Sequence, residues 1–238
     1  MAQLEFLIRS IPSLIWGVPN NRPGGLVMSL LLSFAGLSFG LVLATGLGLA
    51  RAASVRAVRA PATALVRVIR GIPLILLLLV VQRAVVLSTG VGGRSSSIIA
   101  AVVALTLYAA AYQTDIIEAG LRAVPQALIE EAALLGAGPL TRYFSLRLPY
   151  GLRVMRPALL SQTITLFKDS SVVVVLGVAD LTTTARLILG SDVGNAPYWV
   201  GVYLTVGFIY FCVSFLLSRM TIRIEGSAAR IGLLVNNS

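Results

Sequence analysis

Apolar runs of membrane length dominate the pattern of this chain. Leu26 to Ala50 proceeds for 25 residues without a charge, Ser95 to Thr114 for 20 and Asn195 to Ser218 for 24. A hydrocarbon core about 30 Å thick is crossed by about 20 apolar residues in a helix, so each run is a span. Two further runs are interrupted. Ile72 to Leu87 contains Arg83, and Pro157 to Ala179 contains the adjacent pair Lys168 and Asp169. The five runs predict an all-α integral membrane protein of about five transmembrane helices. Ahead of them, Glu5, Arg9, Pro12 and Pro19 break any signal-peptide core. Residues 1–25 are therefore expected to be an interfacial segment, 26–220 the membrane domain and 221–238 a tail.

Composition agrees with this pattern and narrows the function. Of the 238 residues, 57% are hydrophobic and 12% charged, with a mean hydropathy of +0.92. A soluble domain carries about 25% charge, so a water-soluble protein is excluded. A single cysteine, Cys212, excludes a disulfide framework, and the absence of histidine removes zinc-hydrolase and Ser-His-Asp chemistry. The net charge of +10 resides in arginines flanking the spans rather than in a basic soluble domain, so nucleic acid is not an expected partner.

Those arginines set an orientation. If the segments after the first span, between the third and fourth, and after the fifth are inside, they hold Arg51, Arg56, Arg59, Arg67, Arg70, Arg122, Arg142, Arg147, Arg153, Arg156, Arg219, Arg223 and Arg230. The other side holds Arg9, Arg22, Arg83, Arg94 and Arg186. Thirteen against five places the N-terminus outside and the C-terminus inside.

The longest connection between spans runs from about Asp115 to Arg156. Residues 125–135 combine strong helix formers, with Leu128, Ala132 and Leu135 on one face. Gly136 and Gly138 stop this helix, and Pro139 suits the first turn of a second one carrying Leu140, Tyr143, Phe144 and Leu148, ended by Pro149. Such a knuckle is either a hairpin lying on the membrane or a docking knob for a soluble partner. Charges within a span cost about 2.5 to 3.5 kcal/mol on insertion scales. Lys168 and Asp169 diverge by about 100° on a helix, so one is expected to line a path and the other to hold a neighbouring helix. A buried pair tying helices together is the alternative. Ser170 and Ser171 can bond a preceding carbonyl or offer hydroxyls to a substrate. Arg70, before Gly71 and Pro73, is either a snorkelling anchor or part of a gate.

The knuckle resembles the EAA loop of ABC importer permeases. Glu130, Glu131 and Ala132 are followed by Gly136, and ten residues on by Leu146, Arg147, Leu148 and Pro149. Glu131 replaces the first alanine of that pattern and Leu146 its isoleucine. From about Gly25 to Glu225 the likeness narrows to the polar amino acid permeases. Arg70-Gly71-Ile72-Pro73-Leu74, Ala111-Tyr112-Gln113-Thr114-Asp115-Ile116-Ile117 and Lys168-Asp169-Ser170-Ser171 are similar to three further motifs of that group, in the same order. Glu118 departs from it, standing where arginine is usual, and can pair with Arg122.

The resemblance implies a type I ABC importer permease in a bacterial inner membrane, with a coupling loop at about 122–150. It implies three partners: an ATP-hydrolysing subunit that carries ATP and Mg, a second permease copy or paralogue, and an extracytoplasmic amino-acid-binding protein. It assigns Glu130, Glu131, Ala132, Gly136, Leu146 and Pro149 to ATPase coupling. Lys168, Asp169, Ser170, Ser171 and Arg70 are the expected translocation path or gate. No Gly-x-x-x-x-Gly-Lys-Ser/Thr phosphate loop occurs, so no cofactor and no ATP hydrolysis are expected on this chain. The competing classes are an ATP-independent channel or secondary carrier, and a membrane scaffold. The missing internal repeat counts against a carrier.

Overall fold

The computed structural model describes residues 2–235. Arg223 and Arg230 of the orientation count lie outside the described side chains, and residues 236–238 of the expected tail outside the described backbone. Among the described residues ten α-helices follow one another: α1 Ala2–Trp16, α2 Gly25–Ala52, α3 Arg56–Gly71, α4 Leu74–Thr89, α5 Arg94–Arg122, α6 Gln126–Leu134, α7 Pro139–Arg142, α8 Leu148–Asp169, α9 Leu181–Gly190 and α10 Trp199–Val235. The described residues form no strand, only an isolated bridge between Gly25 and Asp180. Among the described residues four stretches are long and apolar enough to cross a membrane, namely α2, α5, Pro139–Leu176 and Val193–Thr221; the bent pair α3 and α4 makes a fifth if taken as one span.

The centre of the bundle is α5. It packs most extensively on α2, then on α8 and α4. Hydrocarbon offers no driving force between helices, so close van der Waals contact between small side chains has to supply the association. Ala100, Ala101, Ala104, Ala109, Ala110 and Ala111 of α5 are fully buried. Opposite them, a Cβ on Gly36 would lie 3.0 Å from the Leu105 Cβ, and one on Gly40 would lie 2.9 Å from the Ala109 Cβ. The outer faces are apolar and open, with Phe34 72% and Val42 74% exposed, as surfaces that meet lipid must be.

Two spans depart from the sequence expectation. The second begins at Leu74, after a 115° bend at Ile72 and Pro73. Residues before a proline are driven out of the helical region, and Ile72 is extended (φ −95°, ψ 130°). Ahead of the bend, α3 buries Ala62, Val66 and Ile69 and exposes Arg56, Arg59, Arg67 and Arg70, the pattern of an amphipathic helix. The fourth span is not α-helical to Ala179. Its α-helix stops at Asp169, and Ser170–Leu176 tighten into a 3-10 helix that ends at Gly177 in the left-handed region.

The N-terminal α1 packs against α2, α9 and α10. Its 15 residues extend about 22 Å, short of a bilayer core. Leu14 is fully buried in a second cluster with Leu181, Ala185, Ile188, Val202 and Val206. Tyr198 stacks on Phe6 at 4.7 Å, while Trp16 and Trp199 stay exposed.

Candidate functional site

The knuckle is built by a glycine-terminated helix. At the end of α6 the Ala137 N–H donates to the Ala132 carbonyl and the Gly136 N–H to the Ala133 carbonyl, both at 3.0 Å. This paired closure requires a left-handed residue after the helix, and Gly136 supplies it with φ +82°. Ala132 is half-buried, while Glu130 and Glu131 are exposed; Glu130 accepts a 3.1 Å bond from the Gln126 amide. The apolar face is not the one expected. Ile129 is the buried residue of α6, whereas Leu128 is exposed and Leu134, Leu135 and Leu140 are 89%, 83% and 74% exposed.

Pro149 does not end the second knuckle helix. Tyr143–Arg147 form a π-helical turn in which the Leu148 N–H reaches the Tyr143 carbonyl, and α8 continues through Pro149 to Asp169. A proline ring in an α-helix collides with the carbonyl four residues back. The wider π turn moves that carbonyl aside, so Pro149 becomes a first-turn residue of a longer rod. Leu146 lies half-buried within the π turn, and Pro149 is exposed. From Pro139 to Leu176 the chain is thus 38 residues of continuous helical structure.

That rod joins the knuckle to the charged pair. Lys168 projects from the surface of the chain, whereas Asp169 is half-buried beside Tyr108 of α5. Its Oδ2 is enclosed without a partner. Ser170 is fully buried and donates to the Phe167 carbonyl at 2.7 Å; Ser171 is half-buried. Just beyond, Val174, Val175, Gly177, Thr183, Arg186 and Leu187 line a cavity of about 540 Å³.

Arg70 belongs to a different constellation. Its guanidinium donates to Asp115 and lies 5.1 Å over the Tyr112 ring. Arg51, from the end of α2, donates to the other Asp115 oxygen at 2.5 Å and pairs with Glu118 at 3.0 Å; Glu118 also takes Arg122. Three helices are thereby tied at one end. Tyr108, Tyr112, Asp115, Glu118 and Arg122 recur at helical spacing along α5, so a polar stripe leads from Asp169 to this ion cluster. Sequence reasoning missed Arg51, Asp115 and the two tyrosines as site residues. The spacing on α5 was a visible signal, but Arg51 lies 64 residues from its partner.

A family described as the inner membrane component of binding-protein-dependent transport systems matches residues 36–226, which include the knuckle, the ion cluster and the Lys168 turn. The chain belongs to this family. It is accordingly a multi-pass component of an inner membrane transport system. Similar members of this transport family include the probable glutamine ABC transporter permease protein of Bacillus subtilis, 31% identical over 198 residues that cover 83% of this chain and 86% of that one. The glutamate/aspartate import permease protein of Escherichia coli is 34% identical over 80% of this chain and 85% of its own length. A glutamate/glutamine/aspartate/asparagine transport system permease protein of Rhodobacter capsulatus is 28% identical over 96% of this chain, which spans about half (53%) of that longer relative. In three dimensions the chain resembles a solved amino acid ABC transporter chain with a TM-score of 0.82 at 27% identity, covering 92% of this chain and 96% of the other. The MetNI methionine ABC transporter, at 24% identity and a TM-score of 0.66 over 95% of this chain and 98% of the other, shares the fold.

Proposed function

We propose that this permease forms the translocation path for amino acids in an ATP-driven importer. In this proposal the knuckle seats in a separate ATP-hydrolysing subunit that binds ATP and Mg, a second permease completes the path, and an extracytoplasmic binding protein delivers the substrate. The observation that carries it is the knuckle itself. Leu134, Leu135 and Leu140 stand almost fully exposed around a glycine-fixed turn, on a chain without a phosphate-binding loop. Exposed apolar clusters of this kind mark interaction surfaces. The amino acid class rests on the named relatives and on the solved amino acid transporter.

The rod from Pro139 to Leu176 gives such docking a mechanical consequence. A displacement of the knuckle when the ATPase closes is carried along α8 to the turn at Lys168, where the helix changes pitch. Arg70 meets the polar stripe on α5 partway along, at Tyr112 and Asp115, while Asp169, next to Lys168, lies at its Tyr108 end. A lysine in the path offers an ammonium to the carboxylate that all amino acids share, so it favours the class without choosing a side chain.

The test is substrate-stimulated ATP hydrolysis by the reconstituted complex with its binding protein. Gly136→Pro, which removes the left-handed turn and its N–H bond, should abolish stimulation while the permease still inserts. Lys168→Met should lower transport at least about tenfold, the loss expected when one charge-assisted contact is removed, with assembly intact. Normal transport by both variants would refute the reading.

A further inference from the structure

A cavity of about 280 Å³ opens where α2 and α5 end and the π turn begins, lined by Thr45, Gly48, Leu49, Arg51, Leu121, Arg122, Tyr143 and Arg147 among others. Its two walls differ in character. One is the outer face of α2, where Val42 and Leu49 are 74% and 63% exposed and lead into the hydrocarbon zone. The other is a cationic rim. Arg147 is exposed and makes no side-chain hydrogen bond or ion pair among the described residues. Arg122 gives only Nη2 to Glu118, so most of its five donors remain free. Tyr143 and Arg147 also line an adjoining cavity of about 200 Å³ with Arg142, whose Nε is enclosed without a partner. Among the described residues Glu118 is the one carboxylate on the rim of the larger cavity, and it is already shared between Arg51 and Arg122.

We propose that this cavity binds the phosphate headgroup of an anionic phospholipid, with an acyl chain laid along Thr45, Gly48 and Leu49. Guanidinium groups match phosphate oxygens in geometry and charge, and basic pockets between spans at the membrane boundary select anionic headgroups. Phosphate is the recognised chemistry, and a free phosphate would satisfy the rim equally. The apolar wall decides for the lipid: a small hydrated anion makes no use of it, and an acidic peptide would have to lie against side chains that face hydrocarbon. Bound there, the lipid would bridge α2, α5 and the base of the knuckle.

The experiment uses the full-length chain purified in detergent and titrated with dioleoylphosphatidylglycerol, dioleoylphosphatidylcholine or inorganic phosphate. Bound lipid is counted by native mass spectrometry, and the thermal midpoint is followed in parallel. Phosphatidylglycerol should bind and raise the midpoint, while phosphatidylcholine and inorganic phosphate should do neither. Arg147→Gln should cut bound phosphatidylglycerol about fivefold, the weight of one guanidinium near an anionic surface. Gly48→Leu is the second variant. A Cβ there meets nothing within 4 Å, so the leucine can extend into the acyl seat and should also reduce binding. Equal binding of phosphatidylcholine, or undiminished phosphatidylglycerol binding in both variants, overturns the site. Equal protection by inorganic phosphate overturns the lipid in favour of a free anion.

Discussion

At the end of the bundle that carries the knuckle, α2, α3 and α5 are joined by Arg51, Arg70 and Arg122 through Asp115 and Glu118. At the other end, the start of α2 is joined to α9 and α10 by hydroxyls and backbone groups, and a buried carboxylate caps α9 beside them. There the Gly25 N–H donates to the Ala179 carbonyl at 2.9 Å and is also 3.1 Å from Thr184 Oγ1, and the Leu181 N–H donates to Ser29 Oγ at 3.1 Å. Asp180, fully buried, caps α9 by accepting from the Thr183 and Thr182 N–H groups at 2.8 and 3.3 Å. The Tyr210 hydroxyl closes the network against Ser29 and Thr182. The ion cluster is partly open to water, with Arg70 46% exposed and Arg122 79%, so its pairs exchange partners at low cost. The buried network has no solvent to replace a lost partner. The two chemistries are thus separated: exchangeable ion pairs lie at the end that carries the knuckle, and fixed hydrogen bonds away from it.

The largest effect is expected from breaking the rigid end. Asp180→Ala removes a cap and leaves one buried and one partly buried N–H group unpaired, which should cost about 2 to 4 kcal/mol and show as a large fall in thermal midpoint in detergent. Asp180→Asn keeps an acceptor and should recover most of it. Asp180 lies in the connection between spans, and burial pushes its carboxyl above the ordinary 3.8 against the pull of its hydrogen bonds to Thr183 and Thr182. A raised folded pKa means the proton is held more tightly in the folded state. Its stabilising contribution is therefore full below pH 3.8 and is lost as pH rises from there through the folded pKa. The wild type should gain midpoint on acidification relative to Asp180→Asn, and equal pH slopes for the two would contradict the assignment.

A smaller loss is expected at the other end. Arg51→Gln leaves Asp115 to Arg70 and Glu118 to Arg122, so the cluster should reorganise at a cost of about 1 to 2 kcal/mol. That loss should shrink when measured in 1 M salt, where the screening length is about 3 Å, whereas the Asp180→Ala loss should not. Equal salt dependence would erase the distinction between the two ends. The least perturbing test asks which end is inside. In a Cys212→Ala background, single cysteines at Ser54, beside the ion cluster, and Ser191, at the end of α9, should differ in labelling by an impermeant reagent. The arginine bias predicts labelling from outside at Ser191→Cys alone; labelling of Ser54→Cys alone would reverse the orientation.

How much of this was legible beforehand differs element by element. The runs from Leu26 and Ser95 became α2 and α5 because membrane transfer is additive along a helix and needs no knowledge of neighbours. Gly136 was legible for a similar reason, since a left-handed residue after a helix is a local demand on one position. Pro149 was misread as a stop, because only the π turn before it shows that the ring has room. The apolar face of α6 was misplaced because helical periodicity names which residues share a face, not which face the rest of the chain covers.

What the sequence alone determined is therefore the three uninterrupted spans, the glycine-closed knuckle, the lack of a nucleotide loop and the ordered motifs that place the chain in its family. All of these follow from burial in lipid or from backbone conformation, which act within a few residues. Tertiary structure alone decided that Arg70 joins Arg51 across Asp115 and that Asp169 turns to Tyr108. It also decided that Asp180 lies fully buried against Gly25, some 155 positions earlier in the chain. Those partners come from different helices far apart in the chain, and a pairing whose free energy depends on how the helices pack leaves no periodic trace along the chain.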